Sequence, residues 1–362
     1  MSEQVYRKLA RRLDSIPSGF PATESGVELQ LLARLYTREE ATIVSAMRLN
    51  YEPAGAIATR ADIDPGTACN ILCAAARKGL VRTQTGDREP TFALNPQTAG
   101  LAGFDTLEAV SQDAEAAELY VQWIQQTQGG SLSDAPAARR VVPVEESISF
   151  SLAIHPYEQA SELLATARSW GVLDCWCRTR TGQAGQRCSY PLSNCLVFAP
   201  EEGAYENDEL IRAISLEESL RVLRQAADGG LVHTTGNYGD HDYSICNCCP
   251  CCCSLLRGAV EFHRPAVVAH SDFYTVVDGT ACEGCGDCID RCHFGALSLP
   301  ESVSVVDRTR CVGCGLCALA CSFDALSLGR RPAGETPSRP AGADEWMAEY
   351  ARVRGLSLTE LQ

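Results

Sequence analysis

Two stretches of the chain, CEGCGDCIDRC from Cys282 to Cys292 and CVGCGLCALAC from Cys311 to Cys321, each carry four thiols in the pattern C-x2-C-x2-C-x3-C. Thiolates are soft ligands that select iron–sulfide clusters and zinc. The spacing suits an iron–sulfide cube, because three thiolates from one tight loop cover three corners and the fourth corner is left for a helix supplied from elsewhere. That helix can come from the other copy: CEGCGDCIDRCHFGALSL and CVGCGLCALACSFDALSL form a direct repeat displaced by 29 residues, from Cys282 to Cys311. Gly284, Gly286, Gly313 and Gly315 fall between the thiols, where a backbone wrapped round a cluster needs close approach and positive φ. Their amides can donate to sulfur and tune its potential.

The repeat resembles the two-cluster bacterial ferredoxin domain over about Ser271 to Leu328. The resemblance implies two 4Fe-4S clusters with crossed ligands, one on Cys282, Cys285, Cys288 and Cys321, the other on Cys311, Cys314, Cys317 and Cys292. The chain departs from that family after the fourth cysteine of each run, where His293 and Ser322 replace the usual proline. His293 reads as a surface residue filling the vacated position.

A second set of thiols precedes the repeat. Cys175, Cys177, Cys188 and Cys195 match in number one further iron–sulfur cluster, with a zinc site and scattered core cysteines as the alternatives. The tract SICNCCPCCCS, Ser244 to Ser254, then places Cys246, Cys248, Cys249, Cys251, Cys252 and Cys253 in eight residues. Neighbouring side chains point in different directions, so these six cannot all serve one cube. They are shared between two clusters, hold a non-cubane cluster, remain in part as free redox-active thiols, or form a soft-metal tract of the metallothionein kind. Doubled cysteines are similar to those in the heterodisulfide reductase subunit that carries non-cubane clusters, but its Cys-Cys-Gly signature is absent. Arg178, Arg180, His233 and His241 are the nearby groups that could bind a substrate or deliver protons, and each reads first as structural or surface.

The elements that must position these thiols are readable in part. The 362-residue chain contains 20 cysteines: two before residue 140, ten from Cys175 to Cys253 and eight from Cys282 to Cys321. This division and the low-periodicity stretch Gln128 to Ala138 suggest an α+β multidomain protein. Its expected parts are a helical winged-helix-like domain over 1–127, a linker over 128–140, a cysteine-rich α+β domain over 141–270, a ferredoxin-like two-cluster domain over 271–328, and a linker with a C-terminal helix over 329–362.

In the first region helical spacing covers Arg38 to Leu49, Pro53 to Arg60 and Asp64 to Lys78, followed by an extended segment near Val81, a turn at Thr85 to Glu89 and a returning strand Thr91 to Leu94. This resembles the winged helix of MarR-like and ArsR-like regulators. Cys69 and Cys73, at i and i+4 on its third helix, read as two buried small residues. Farther on, Arg139 to Val144 and Ser147 to Ala153 look extended and Pro156 to Ser169 helical. Ser215 and Glu218 form a capping box for a helix to Ala227, and a last helix spans about Glu345 to Arg354.

Apolar residues make up 45% and charged residues 21% of the chain, and the formal net charge is −15. That balance fits compact domains and a redox partner with a basic docking surface, whereas a nucleic acid is not an expected partner. No apolar run reaches a membrane-spanning length and the start lacks a signal-peptide core, so a cytoplasmic location is expected. With thiols kept reduced there, metal or redox chemistry is the use expected of the cysteines.

The whole order of segments is similar to that of bacterial and archaeal 4Fe-4S binding proteins, which implies iron–sulfur binding and supplies no substrate. The reading is an electron-transfer protein or redox-complex subunit passing electrons between two C-terminal 4Fe-4S clusters and one or more central iron–sulfur clusters. The alternatives are a reductase with a catalytic central cluster and a redox-sensing winged-helix regulator. Thr67, Asn70, Arg77 and Lys78 are the groups the third helix offers to DNA.

Overall fold

The computed structural model describes residues 2–17, 19–84, 89–95, 113–129, 136–149, 152, 155, 158–186, 188–239, 243–336 and 339–358. They hold thirteen α-helices and several small sheets, and among them no helix is long and apolar enough to cross a membrane. The chain forms two compact units: residues 1–134, 179–187 and 347–362 make the first, and 135–178 with 188–346 make the second.

The first unit begins with α1 (Ser2–Asp14), whose Leu9 and Leu13 are fully buried. Two further helices, α2 (Val27–Leu35) and α3 (Arg38–Val44), follow. Helix α3 stops at Val44, short of the expected Leu49, and its start is fixed by a complete capping box between Thr37 and Glu40. Pro53 is the N-cap of α4 (Ala54–Ala61), and Asp64 caps α5 (Pro65–Arg77) through the Thr67 amide at 2.9 Å. Three strands, β1 (Glu52–Pro53), β2 (Val81–Gln84) and β3 (Thr91–Leu94), form an antiparallel sheet in the order β1-β3-β2. The turn between β2 and β3 lies outside the described residues over 85–88. Helix α6 (Ala114–Gln126) buries Trp123, which stacks on Phe20 with centroids 4.9 Å apart. Cys69 and Cys73 are half-buried on α5, beside the buried face of Ala68, Leu72 and Ala75, so the expectation that both are core residues does not hold.

The second unit is built on a seven-stranded sheet. In spatial order its strands are β10 (Val268–Ala269), β4 (Arg139–Val141), β8 (Val232–Gly236), β9 (Ser244–Cys248), β6 (Ser193–Ala199), β5 (Ser169–Asp174) and β7 (Arg212–Ile214). Only β10 and β4 run parallel. Helices α7 (Ala160–Ala165) and α9 (Leu216–Asp228) bury Leu164 and Leu223 in a core with Val172, Leu196, Phe198 and Ile245 of the strands. The expected long helix from Pro156 to Ser169 is confined to α7, because Ser169 already opens β5. Ser147 belongs to a 3₁₀ turn rather than a strand. At α9 the Ser215 hydroxyl accepts from the Glu218 amide at 3.1 Å, but the Glu218 carboxylate pairs with Arg212 at 2.9 Å. Half of the expected capping box is therefore used as an ion pair.

The duplicated segment closes this unit. Strand β11 (Phe273–Val277) pairs antiparallel with β14 (Leu326–Arg330), and β12 (Leu297–Ser298) pairs with β13 (Val305–Val306). The short helices α11 (Asp287–Arg291) and α12 (Leu316–Leu319) start at Gly286 and Gly315, both at positive φ. Arg330 holds buried Glu158 in a two-pronged ion pair at 2.7 and 2.9 Å, joining β14 to the start of α7.

Arg140 donates to the His270 carbonyl at 3.2 Å at the end of β10. Burial, reinforced by the charges of Arg331 and Arg140, pushes the His270 imidazole down to about 4. Its folded-state value lies below the ordinary unfolded value of about 6.5, so its contribution to stability is complete above pH 6.5 and is lost as pH falls towards 4. Replacing His270→Asn should make unfolding free energy less dependent on pH across that window, by about 1–2 kcal/mol, as read from denaturant titrations at several pH values.

Candidate metal centre

The thiols of the second unit fall into four groups, all brought together by the fold. The first two lie in the duplicated segment. Cys282, Cys285, Cys288 and Cys321 line one cavity with Phe323 and Leu326. Cys292 lies close enough to Cys311 to feel its charge, and Cys314 and Cys317 each feel both. The fourth cysteine of each run therefore stands with the first three of the other run.

Hydrogen bonds repeat the crossing. The Thr275 amide donates to Cys311 Sγ at 3.5 Å, and the Ser304 amide donates to Cys282 Sγ at 3.4 Å. Their hydroxyls lie 3.2 Å from Cys317 Sγ and 3.5 Å from Cys288 Sγ respectively. Thr275 and Ser304 occupy equivalent places, 29 residues apart like Cys282 and Cys311. Residue types gave no sign of this role, although applying the repeat displacement to the flanking strands would have paired the two residues. The Ala296 amide adds a bond to Cys292 Sγ at 3.3 Å.

The two loops differ in setting. Cys285 is exposed, whereas Cys311 and Cys317 are buried. The second loop is fastened to the body of the unit: the Val144 amide donates to the Cys314 carbonyl at 2.9 Å, and the Ser147 and Ser271 hydroxyls donate to the Gly315 and Gly313 carbonyls, each at 2.8 Å. Past the first loop, His293 Nε2 lies 2.6 Å from the Gly230 carbonyl and Arg291 donates to the carbonyls of Ala227 and Asp228. His293 is thus a half-buried docking residue rather than a surface filler, while Ser322 is exposed.

The third group is a compact square of thiols: the Sγ atoms of Cys188, Cys249, Cys251 and Cys252 all lie within 4.8 Å of one another. Cys188 therefore stands with the tract and apart from the Cys175, Cys177 and Cys195 set to which its spacing had assigned it. The fourth group is a ring. Thiol contacts run from Cys177 to Cys175, on to Cys195, Cys246, Cys248 and Cys253, and from Cys253 back to Cys177. Cys246 is held well below the ordinary thiol range by hydrogen bonds from Cys195 and Cys248, with the Arg139 charge assisting, and Arg139 Nη2 lies 3.3 Å from its sulfur. Contacts with Cys175 and Cys246, then burial, push Cys195 up, and contacts with Cys246 and Cys253, then burial, push Cys248 up.

Arg178 stands between the ring and the square. It is 3% exposed and donates to the Pro191 carbonyl and Asn194 Oδ1, each at 2.6 Å. Its charge acts on Cys175, Cys195 and Cys249. Arg180 stacks on the Tyr120 ring 3.6 Å from its centroid, within the first unit. His233 is buried with Nδ1 2.6 Å from Asn247 Oδ1, and burial pushes it down to about 4, which leaves it neutral at physiological pH. His241 lies outside the described residues.

Residues 304–327 match the model of the 4Fe-4S binding domain family known as Fer4. No curated protein and no solved structure matches the chain. The match makes at least one 4Fe-4S cluster a feature of this chain, and the local structure fits one. Thiols converge, amides and hydroxyls point at their sulfurs, and the backbone at Gly313 leaves no room for a side chain, with φ at +72° and the Phe273 carbonyl in the place a Cβ would take.

Gly286, by contrast, has φ at +89° and open space around a Cβ. Gly286→Ala should therefore cost about 1 kcal/mol of backbone strain, while Gly313→Ala should cost several times more and abolish the loop. Thermal unfolding of the two variants, read beside their iron content, checks the contrast.

Proposed function

We propose that the chain is an electron-transfer protein, or a subunit of a redox complex. In this reading the duplicated segment holds two 4Fe-4S clusters with the crossed ligand sets Cys282, Cys285, Cys288, Cys321 and Cys311, Cys314, Cys317, Cys292. The six-thiol ring is the exchange point for a further cluster. Each bound cluster supplies storage of one electron at a potential set by its surroundings. The observation that carries the reading is the asymmetry of the two loops. Exposed Cys285 sits among exposed Glu283, Asp287 and Asp290, a surface for a donor or acceptor protein with basic groups. The buried second loop is bonded to Val144 and Ser147, three to six residues beyond β4, the strand that carries Arg139.

A reductase is the second reading, favoured by the number of thiols in the ring: six are two more than the four irons of a cube can bind singly. Arg139 and Arg178 then place positive charge beside the ring, where an anionic substrate or the extra charge of a reduced cluster is stabilised. The first unit reads as a winged-helix-like docking module. Its third helix has little to offer DNA, since Lys78 is paired with Glu40 at 2.8 Å and Arg77 Nε is turned onto the Cys73 carbonyl at 3.3 Å. The cytoplasm remains the proposed location.

Pairwise cysteine removal tests the crossed sets. In anaerobically prepared protein, Cys282→Ala with Cys321→Ala should lose about four irons, no more than either change alone, whereas Cys282→Ala with Cys311→Ala should lose about eight. Equal losses from the two double variants would refute the crossing.

Hydrogen bonds to thiolate sulfur favour the more negative, reduced state. Thr275→Val and Ser304→Ala should therefore each lower one cluster's reduction potential, by about 40 mV for each kcal/mol of differential bonding. A redox titration followed by electron paramagnetic resonance measures the shift, and the two variants should affect different clusters.

A further inference from the structure

A thiolate set records in its dimensions the kind of centre it can hold. In a cube each cysteine bonds a different iron at a different corner, and the sulfide-filled body keeps the thiolates far apart. A single tetrahedral ion with metal–sulfur bonds of about 2.3 Å instead draws its four thiolates to about 3.8 Å from one another. Cys188, Cys249, Cys251 and Cys252, all mutually within 4.8 Å, have the second dimension. Among the described residues no other group of thiols is this compact.

The surroundings agree. Cys249 and Cys252 are packed against Ala226 and Leu231, with Tyr190 and the ring thiol Cys177 at the edge of this cluster, so one side of the square is closed and largely apolar. Four thiolates on a divalent ion leave two negative charges, and Arg178 is the buried cation that acts on Cys249. The square also joins positions distant in sequence. Cys188 lies in the segment before β6, and the other three follow β9, so an ion here closes a loop of about sixty residues and contributes to folding what the chain must otherwise lose in entropy.

We infer that Cys188, Cys249, Cys251 and Cys252 hold one tetrahedral divalent ion, zinc or iron, as a site separate from any iron–sulfide cluster. The assignment is independent of the electron-transfer reading, since a mononuclear centre of this kind is a staple whether or not the ring and the duplicated loops are redox-active.

The test compares the intact full-length chain with the double variant Cys188→Ser, Cys251→Ser, both prepared anaerobically and analysed for zinc, iron and acid-labile sulfide. The expected result is loss of about one metal atom per chain with sulfide unchanged; zinc or iron in that one-atom difference tells which ion fills the site. Loss of about four irons together with about four sulfides would show a cube and overturn the inference, while leaving the crossed clusters untouched. Unchanged metal content would overturn it equally. Should the double variant fail to fold, the intact chain decides. One zinc with four sulfur neighbours at about 2.3 Å, or one mononuclear iron–thiolate component in the Mössbauer spectrum, supports the site, and the absence of both refutes it.

Discussion

Buried thiol sulfur carries a cost that organises the second unit. A thiolate taken out of water is penalised, and burial accordingly pushes Cys292, Cys314 and Cys317 up, Cys317 to about 12. Without metal these groups hold their protons at neutral pH, so binding must displace protons and is coupled to pH and to folding. Neighbouring thiols add to that cost, and the donors close to the sulfurs lower it. The amides of Thr275, Ala296 and Ser304 aim at them, Arg139 reaches Cys246, and Arg178 faces Cys249. The same donors set the charge each centre tolerates, so under the proposed function they would also tune the electron affinity of a bound cluster.

Duplication solves the geometric half of the problem. A loop of the C-x2-C-x2-C type can present three thiols but cannot turn far enough to present a fourth to the same cube. In the proposed crossed arrangement a second copy facing the first supplies it, and the hydrogen bonds to sulfur follow the same symmetry. Thr275 serves the second run and Ser304 the first, through both amide and hydroxyl. The copies also differ in what each meets outside itself. Arg291 and His293 grip the carbonyls at the end of α9, while exposed Ser322 occupies the corresponding place in the second copy.

The duplicated segment was the most legible part of the chain because its ligand spacing is set by local chemistry, and a short loop carries it whole. The α9 boundaries, β3 and the Asp64 cap were readable for the same reason, since caps and alternation act over a few residues. Grouping the central thiols was not readable. Strand β9 ends at Cys248, so the period of two sends Cys246 and Cys248 to one side. Pro250 and the turn after it then carry Cys249, Cys251 and Cys252 towards Cys188, and Cys253, at the cap of the next helix, returns to the ring. Where a strand stops within an unbroken row of cysteines depends on its pairing with β8, which joins Val232 to Cys248. That pairing is a long-range contact that no local pattern records.

The two central groups also explain why so many thiols are crowded together without forming one large centre. Four draw close around a point, with one of them, Cys251, reaching solvent, whereas the six of the ring are linked one to the next round a circle. Arg178 is fixed between the two by Pro191, Asn194 and the Asn247 carbonyl. Its guanidinium cannot lose its proton, so it offers each side a permanent positive charge. Under the proposed electron-transfer reading, a charge gained in the ring would be met by this fixed cation, the condition under which an electron arrives with little reorganisation of the surrounding protein.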